Sequence, residues 1–188
     1  MNTPLATASC LLLLALAAVA PPSSARVGSS RVDHSCDLEL NIVDPDPLGT
    51  NLRSAPGVRT GAVIARLQPQ GEWTYVHVVG QSGAWFLIDR AVAVDDQAQD
   101  GEREVFRGGG WVHSSLLGFS ELMTGEGTLL REAPSRGAKV VRTVSMLDDA
   151  SEGPIRVLGC RGGFIQVDLG DIAPWTDTWC NNERTTCS

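Results

Sequence analysis

The sequence has little positive charge and almost no lysine. Its 188 residues include 22 Asp and Glu against 15 Lys and Arg, which gives a net charge of −7, and Lys139 is the single lysine. The arginines form no cluster. A chain of this kind lacks the basic surface that binds nucleic acids and anionic lipids. We therefore expect neither as a partner.

Long apolar runs are also scarce, and none reaches the roughly 20 residues that span a bilayer. One shorter run, Leu11–Ala20, lies in a stretch of 25 residues without a charged side chain. This pattern predicts a secretory signal peptide at 1–25, cleaved after Ala25, with a buried helix as the alternative. The prediction places the protein in the periplasm or outside the cell, without a membrane anchor after cleavage.

Cysteines are few, and their spacing is not that of a zinc site. Cys10 lies in the predicted signal peptide, which leaves four cysteines. An even number in an exported chain predicts two disulfides, with three possible pairings. The alternative, a zinc site of His34, Cys36 and the C-terminal pair, lacks the usual ligand spacing, so we expect no metal. The four cysteines are Cys36, Cys160, Cys180 and Cys187.

Residues in catalytic patterns are missing as well. The histidines are His34, His77 and His113, and none follows Cys160. Each remaining cysteine has a disulfide role, so we expect no cysteine nucleophile, and the serines after His113 do not predict a triad. No glycine-rich motif precedes a lysine in the way that phosphate binding requires. The sequence predicts a protein without enzymatic activity or cofactor.

What the chain does contain is an internal repeat. Residues 52–56 read Leu-Arg-Ser-Ala-Pro, and residues 130–134 read Leu-Arg-Glu-Ala-Pro, at an offset of 78. Residues 78–88 then match 157–167 without a gap, at an offset of 79. A valine-rich block follows each Leu-Arg motif, and Trp111 has a looser counterpart in Trp175. Four blocks in the same order indicate duplication of one unit.

Both copies have the pattern of short β-strands. The blocks are rich in Val, Ile, Leu and Trp, and glycine-rich breaks separate them. We predict an all-β chain in which each copy closes into a small barrel, since closure removes exposed strand edges. The predicted boundaries are a lead-in at 26–36, a first domain at 37–118 and a second domain at 122–188 with a cysteine-bracketed tail.

The two copies differ in length at one place. The first copy carries a polar, mostly acidic insert at about 89–109. The composition predicts a solvated loop or a protruding hairpin. Two interpretations of its role remain open, a tolerated surface insertion or a loop that grips a ligand.

The ordered blocks resemble the bacterial SH3 (SH3b) domain family. In the first copy the matching segments are 51–57, 63–67, 83–88 and 110–117. The second copy is similar but altered, because Phe164 stands where the family has Trp and Pro174 precedes Trp175 in place of Gly. The resemblance implies two tandem SH3-like β-barrels that bind rather than catalyse, often engaging cell-wall peptides or protein partners.

The resemblance also gives candidate ligand-binding residues. It places Trp85 and Trp111 at core-lining positions, and the alternative is an aromatic edge that lines a peptide groove with Tyr75. Because aromatic side chains often anchor binding sites, we take Tyr75, Trp85 and Trp111 as the candidate site. Arg53 and Arg131 follow the first strand of each copy, and we expect each to pair with a nearby carboxylate.

Three hypotheses for function follow. The first is an exported, non-catalytic SH3b binding or adaptor protein that engages peptidoglycan peptides or a protein partner. The second is an inhibitor or immunity-type partner of an exported enzyme, with residues 95–104 of the acidic insert as the contact. The third is a structural protein of the cell envelope.

Overall fold

The computed structural model describes residues 31–68, 73–94, 101–119, 122, 127–144 and 154–179. These ranges contain β-strands and one 3₁₀ turn, Ser114–Leu116, and no α-helix, so the prediction of an all-β chain is confirmed for them. The predicted signal peptide lies outside the described residues. The strands are β1 (His34–Ile42), β2 (Thr50–Arg53), β3 (Val63–Leu67), β4 (Trp73–Ser82), β5 (Trp85–Val94), β6 (Glu102–His113), β7 (Leu117–Phe119), β8 (Thr128–Arg131), β9 (Val140–Val144), β10 (Ile155–Arg161), β11 (Phe164–Val167) and β12 (Trp175–Thr176).

The strands form one continuous antiparallel sheet. Their order is β3-β2-β6-β5-β4-β1-β7-β10-β11-β12-β8-β9. Read outward from the centre, β1-β4-β5-β6-β2-β3 corresponds strand by strand to β7-β10-β11-β12-β8-β9. The internal repeat of the sequence is therefore a repeat of strand order, with β7 as the short counterpart of β1.

The pairing register repeats as well. Arg53 opposes Trp111 in the first half, and Arg131 opposes Trp175 in the second. The turns between β4 and β5 and between β10 and β11 both contain a glycine with positive φ, Gly83 at 55° and Gly162 at 58°. Glycine adopts this conformation without the steric cost that a side chain adds. The same turn geometry therefore recurs at the offset of 79 seen in the sequence.

The two arginines of the Leu-Arg motifs hold loops rather than carboxylates. The guanidinium of Arg53 donates to the carbonyl of Gly61 at 2.8 Å, and that of Arg131 donates to the carbonyl of Ala138 at 3.0 Å. The expectation of carboxylate partners is wrong, because each side chain turns back onto the loop that follows its own strand. The two contacts are equivalent, which extends the repeat from backbone to side chains.

The two halves are joined at the centre of the sheet. β7 pairs with β1 on one side and with β10 on the other. A disulfide links Cys36 on β1 to Cys160 on β10, while Cys180 and Cys187 lie outside the described residues. The side chain of Gln81 accepts a hydrogen bond from the amide of Cys160 at 2.8 Å and donates to the carbonyl of Leu158 at 3.3 Å.

The domain boundary predicted at residues 36 and 37 falls inside a strand, because β1 runs from His34 to Ile42.

In the described part of the chain, no helix is long and apolar enough to cross a membrane. The disulfide fits an exported protein, since such bonds persist in oxidising compartments.

The predicted insert is part of the sheet where the structure describes it. β5 and β6 pair from Trp85 and His113 as far as Val94 and Glu102, so this segment is a hairpin and not a solvated loop. Residues 91–94 are all buried, each 5% exposed or less. The β5 strand of the hairpin is therefore buried along this length, while residues 102–104 of β6, which pair with it, are exposed. Residues 95–100 lie outside the described residues.

Candidate functional site

A row of charged side chains crosses the outward face of the first half. Alternation along β4 turns Thr74, Val76 and Val78 into the core and leaves Tyr75 and His77 on the other face. His77 lies directly opposite Glu39 of β1 and Arg90 of β5. Arg90 in turn opposes Arg107 of β6, so four neighbouring strands present one charged row.

A groove of about 510 Å³ follows this row. It is open to solvent, and its walls come from β1, β4, β5 and β6. The lining residues are Asp37, Leu38, Glu39, His77, Asp89, Arg90 and Arg107. We refer to it below as the charged groove.

His77 lies between two carboxylates at the centre of the charged groove. Its Nδ1 is 2.7 Å from Oδ1 of Asp89, and its Nε2 is 3.1 Å from Oδ1 of Asp37. Burial opposes the charged imidazolium, but the hydrogen bonds to Asp37 and Asp89 outweigh this effect and raise the pKa of His77. The imidazole therefore ties together β1, β4 and β5.

The two arginines of the groove also have acidic partners. Nη2 of Arg90 is 2.9 Å from Oε1 of Glu39, so this ion pair joins β5 to β1 across β4. Arg107 donates from Nε and from Nη2 to the two carboxylate oxygens of Glu104 on its own strand. These hydrogen bonds lower the pKa of Glu104. Each arginine of the groove is thus paired with a carboxylate, although Arg90 and Arg107 are themselves cross-strand neighbours.

Tyr75 lies beside the charged groove on the same face of β4. Burial, followed by a hydrogen bond to Glu102 and the charge of that carboxylate, raises the pKa of Tyr75 to about 12. The phenol therefore stays protonated at neutral pH and adds an uncharged polar group at the edge of the groove.

Among the described residues of the second half, the charged positions of this groove have no equivalents. Arg156 takes the position of His77, and its neighbour Gly118 takes the position of Glu39. β11 ends at Val167, before a counterpart of Arg90 could appear. Three lining residues, Asp89, Arg90 and Arg107, come from the insert that only the first copy carries. The extra length of the first copy therefore builds much of the groove.

The three residues chosen from the sequence do not form one cleft. Tyr75 lies at the edge of the charged groove, and Trp85 lies outside its lining, where its ring packs edge-on against His113 with centroids 5.2 Å apart. Trp111 is 1% exposed, so in this structure its side chain offers almost no surface to a ligand. It lies opposite Arg53 of β2 and Leu87 of β5, on the same face of the β5–β6 pair as Trp85 and His113.

The zinc alternative is also wrong, because Cys36 is bonded to Cys160 and cannot offer a thiolate. His34 faces the guanidinium of Arg161 at 3.2 Å. Among the described residues, no group of three or more His, Cys, Asp and Glu side chains has the arrangement of a metal site.

Sequence reasoning missed Asp37, Asp89, Arg90 and Arg107. The alternation that turns His77 outward was visible, but its neighbours lie 40 and 12 residues away in sequence. Only the pairing register of β1, β4 and β5 brings them together.

The protonation of His77 predicts a pH dependence of stability. Its pKa is raised on folding, so the stabilisation is complete below the unfolded value of about 6.5 and is lost as the pH rises through the folded value. Because Asp37 is 89% exposed, solvent screens the pair, and we expect a loss of at most about 1 kcal/mol. Urea unfolding at pH 6 and pH 8 measures it, with His77→Gln as the comparison. An equal pH dependence in His77→Gln contradicts this assignment.

Comparison with known proteins does not assign this chain to a family. No protein-family model matches the chain, and no curated protein matches it. One solved structure, NlpC2 from Trichomonas vaginalis, aligns with 81% of this chain at 13% sequence identity and a TM-score of 0.31. The alignment covers 51% of that protein, so this chain spans about half its length. A likeness at this level carries no argument about function.

Proposed function

We propose that this protein is an exported, non-catalytic binding module of two SH3b-like barrels, and that it holds a cell-wall peptide in the charged groove of its first half. It acts in the periplasm or outside the cell, where the disulfide between Cys36 and Cys160 is stable. While the groove holds the wall peptide, the rest of the protein surface remains available to a second partner, as in an adaptor.

The observation that carries the proposal is the difference between the two halves. Both share one strand order, one register and one arginine-to-loop contact, so the shared parts serve the fold. Within the described part of the chain, the charged row that lines the groove has no counterpart in the second half, and three of its lining residues come from the insert. A feature that one copy has and the other lacks, built from surface side chains, favours a role in recognition over one in folding.

The composition of the groove supports a peptide as ligand. Its lining carries three carboxylates and two guanidinium groups, with the imidazole of His77 between Asp37 and Asp89. Cell-wall peptides carry both carboxylate and ammonium groups, so they match a surface that carries charges of both signs. The groove is open to solvent, so a peptide can reach these charges.

A pull-down on purified sacculi tests the proposal. The double substitution Arg90→Ala and Arg107→Ala removes both guanidinium groups of the groove. Both side chains lie on the outward face, so folding should persist while the fraction bound to sacculi falls about tenfold or more, since a hydrogen bond to a charged group contributes about 1.5–3 kcal/mol.

The matched control is the double substitution Arg136→Ala and Arg142→Ala. These arginines form ion pairs with Asp177 and Asp171 in the second half, at 2.6 Å each. The control removes the same charge from the half without the groove and should bind as the unmodified protein does. A wild-type protein that stays in solution, or equal losses in both variants, rejects the proposal.

A second candidate is an inhibitor or immunity-type protein that contacts an exported enzyme. It is favoured by the far end of the β5–β6 hairpin, where residues 102–104 are exposed and charged. Crosslinking from a probe attached at residue 103 to a soluble exported enzyme, together with inhibition of that enzyme, supports this candidate. Failure to inhibit any enzyme that it crosslinks rejects it.

A further inference from the structure

The geometry around His77 requires a particular protonation state. An ionised carboxylate only accepts hydrogen bonds, and a neutral imidazole donates through one ring nitrogen alone. Both ring nitrogens of His77 face carboxylate oxygens, at 2.7 Å and 3.1 Å. The two contacts can exist together only when the ring carries two protons. When the ring loses one, one carboxylate loses its donor.

Asp37 is the carboxylate that we expect to be released. Its contact with His77 is the longer of the two, and its side chain is 89% exposed, against 51% for Asp89. Water or a ligand can therefore take the place of the imidazole at Asp37 with little rearrangement. The released carboxylate then offers an acceptor in the wall of the charged groove.

The other charged groups near His77 determine whether the released carboxylate favours a cationic or an anionic ligand. The lining carboxylates are those of Asp37, Glu39 and Asp89, against the guanidinium groups of Arg90 and Arg107. Tyr75 is uncharged, and Glu104 pairs with Arg107. The lining thus has a net charge of −1 when His77 is neutral and 0 when it is protonated. Loss of the proton makes the groove more attractive to a cation.

We propose that the charged groove binds a primary ammonium group of its peptide ligand, and that this ammonium competes with the proton on His77 for the carboxylate of Asp37. The inference rests on the proposed function. It adds that the ligand group is an ammonium and that protonation of His77 regulates its binding to the groove. Binding strengthens as the pH rises, and acidification releases the ligand.

Calorimetry with a synthetic stem peptide tests the inference. The probe is Ala-γ-D-Glu-Lys-D-Ala with an acetylated N-terminus, and the paired probe is acetylated also at the lysine Nζ. The lysine of the probe stays charged between pH 5.5 and 8.0, and this range brackets the ordinary pKa of a histidine, so the experiment follows the titration of His77. We expect the first probe to bind about three- to tenfold more tightly at pH 8.0 than at pH 5.5. The second probe, which has no ammonium group, should bind weakly at both pH values.

Substitution of the histidine separates its proton from the rest of the site. His77→Gln removes the titration, so binding of the first probe should become independent of pH. The control is His113→Gln, a histidine outside the groove, which should keep the pH dependence of the unmodified protein. Binding also favours neutral His77, so by reciprocity saturation with probe should lower the pKa of His77 in an NMR titration.

The outcomes distinguish this inference from the proposed function. Equal binding of both probes, or a pH dependence that persists in His77→Gln, overturns the inference while sacculus binding stands. If the protein is retained on sacculi equally at pH 5.5 and pH 8.0, the inference is likewise overturned and the proposed function stands. Failure of sacculi and of both probes to bind at any pH removes the proposed function itself.

Discussion

Replacing both Cys36 and Cys160 by alanine should lower the free energy of unfolding by about 3–5 kcal/mol. The bond joins residues 124 positions apart, so its removal frees a long loop in the unfolded chain, and the chain-entropy model assigns about 5 kcal/mol to such a loop. Alanine suits the site, because Cys36 and Cys160 are 7% and 0% exposed and a serine hydroxyl would lack solvent there. Urea unfolding of oxidised protein gives the difference.

The matched control for this variant replaces Cys180 and Cys187 by alanine. Their separation in sequence is short, so any bond between them closes a small loop and contributes less. A control that loses as much stability as the Cys36 and Cys160 variant would contradict the assignment. So would alkylation of either Cys36 or Cys160 in protein that has not been reduced.

The pairing of the cysteines is a feature that the sequence did not predict. Four cysteines allow three pairings, and nothing in their spacing selects the partner of Cys36. The choice depends on β7, which pairs with both β1 and β10 and so brings Cys36 beside Cys160. β7 has three residues, which is too short for a period-two pattern to be recognised. The strand that determines the pairing was therefore invisible in the sequence.

The repeated strands were predictable because they leave a local signal. The Leu-Arg motifs at residues 52 and 130 recur with their valine-rich partners, and the structure pairs them in the same register, with a shift after Leu52 and after Leu130. The charged groove left no such signal. Its row of Glu39, His77 and Arg90 exists only across strands, so its members look like unrelated surface residues in the chain.

The different burial of Trp85 and Trp111 has a measurable consequence. Trp111→Ala should cost about 3–5 kcal/mol, because the side chain is 1% exposed and its loss leaves a cavity beside Arg53 and Leu87. Trp85→Ala should cost about 0.5–1.5 kcal/mol, the size of its edge-on contact with His113. Chemical unfolding of the two variants, followed by circular dichroism, makes the comparison.

Trp111→Phe extends the same test. Nε1 of Trp111 is buried and lacks a hydrogen-bond partner, so phenylalanine removes an unsatisfied donor while it keeps most of the apolar volume. The loss of stability should be clearly smaller than for alanine. If Trp111→Ala instead left stability unchanged and abolished binding to sacculi, the indole would have to face the ligand. The assignment of the buried Trp111 side chain to the stability of the fold, and of ligand binding to the charged groove, would then be wrong.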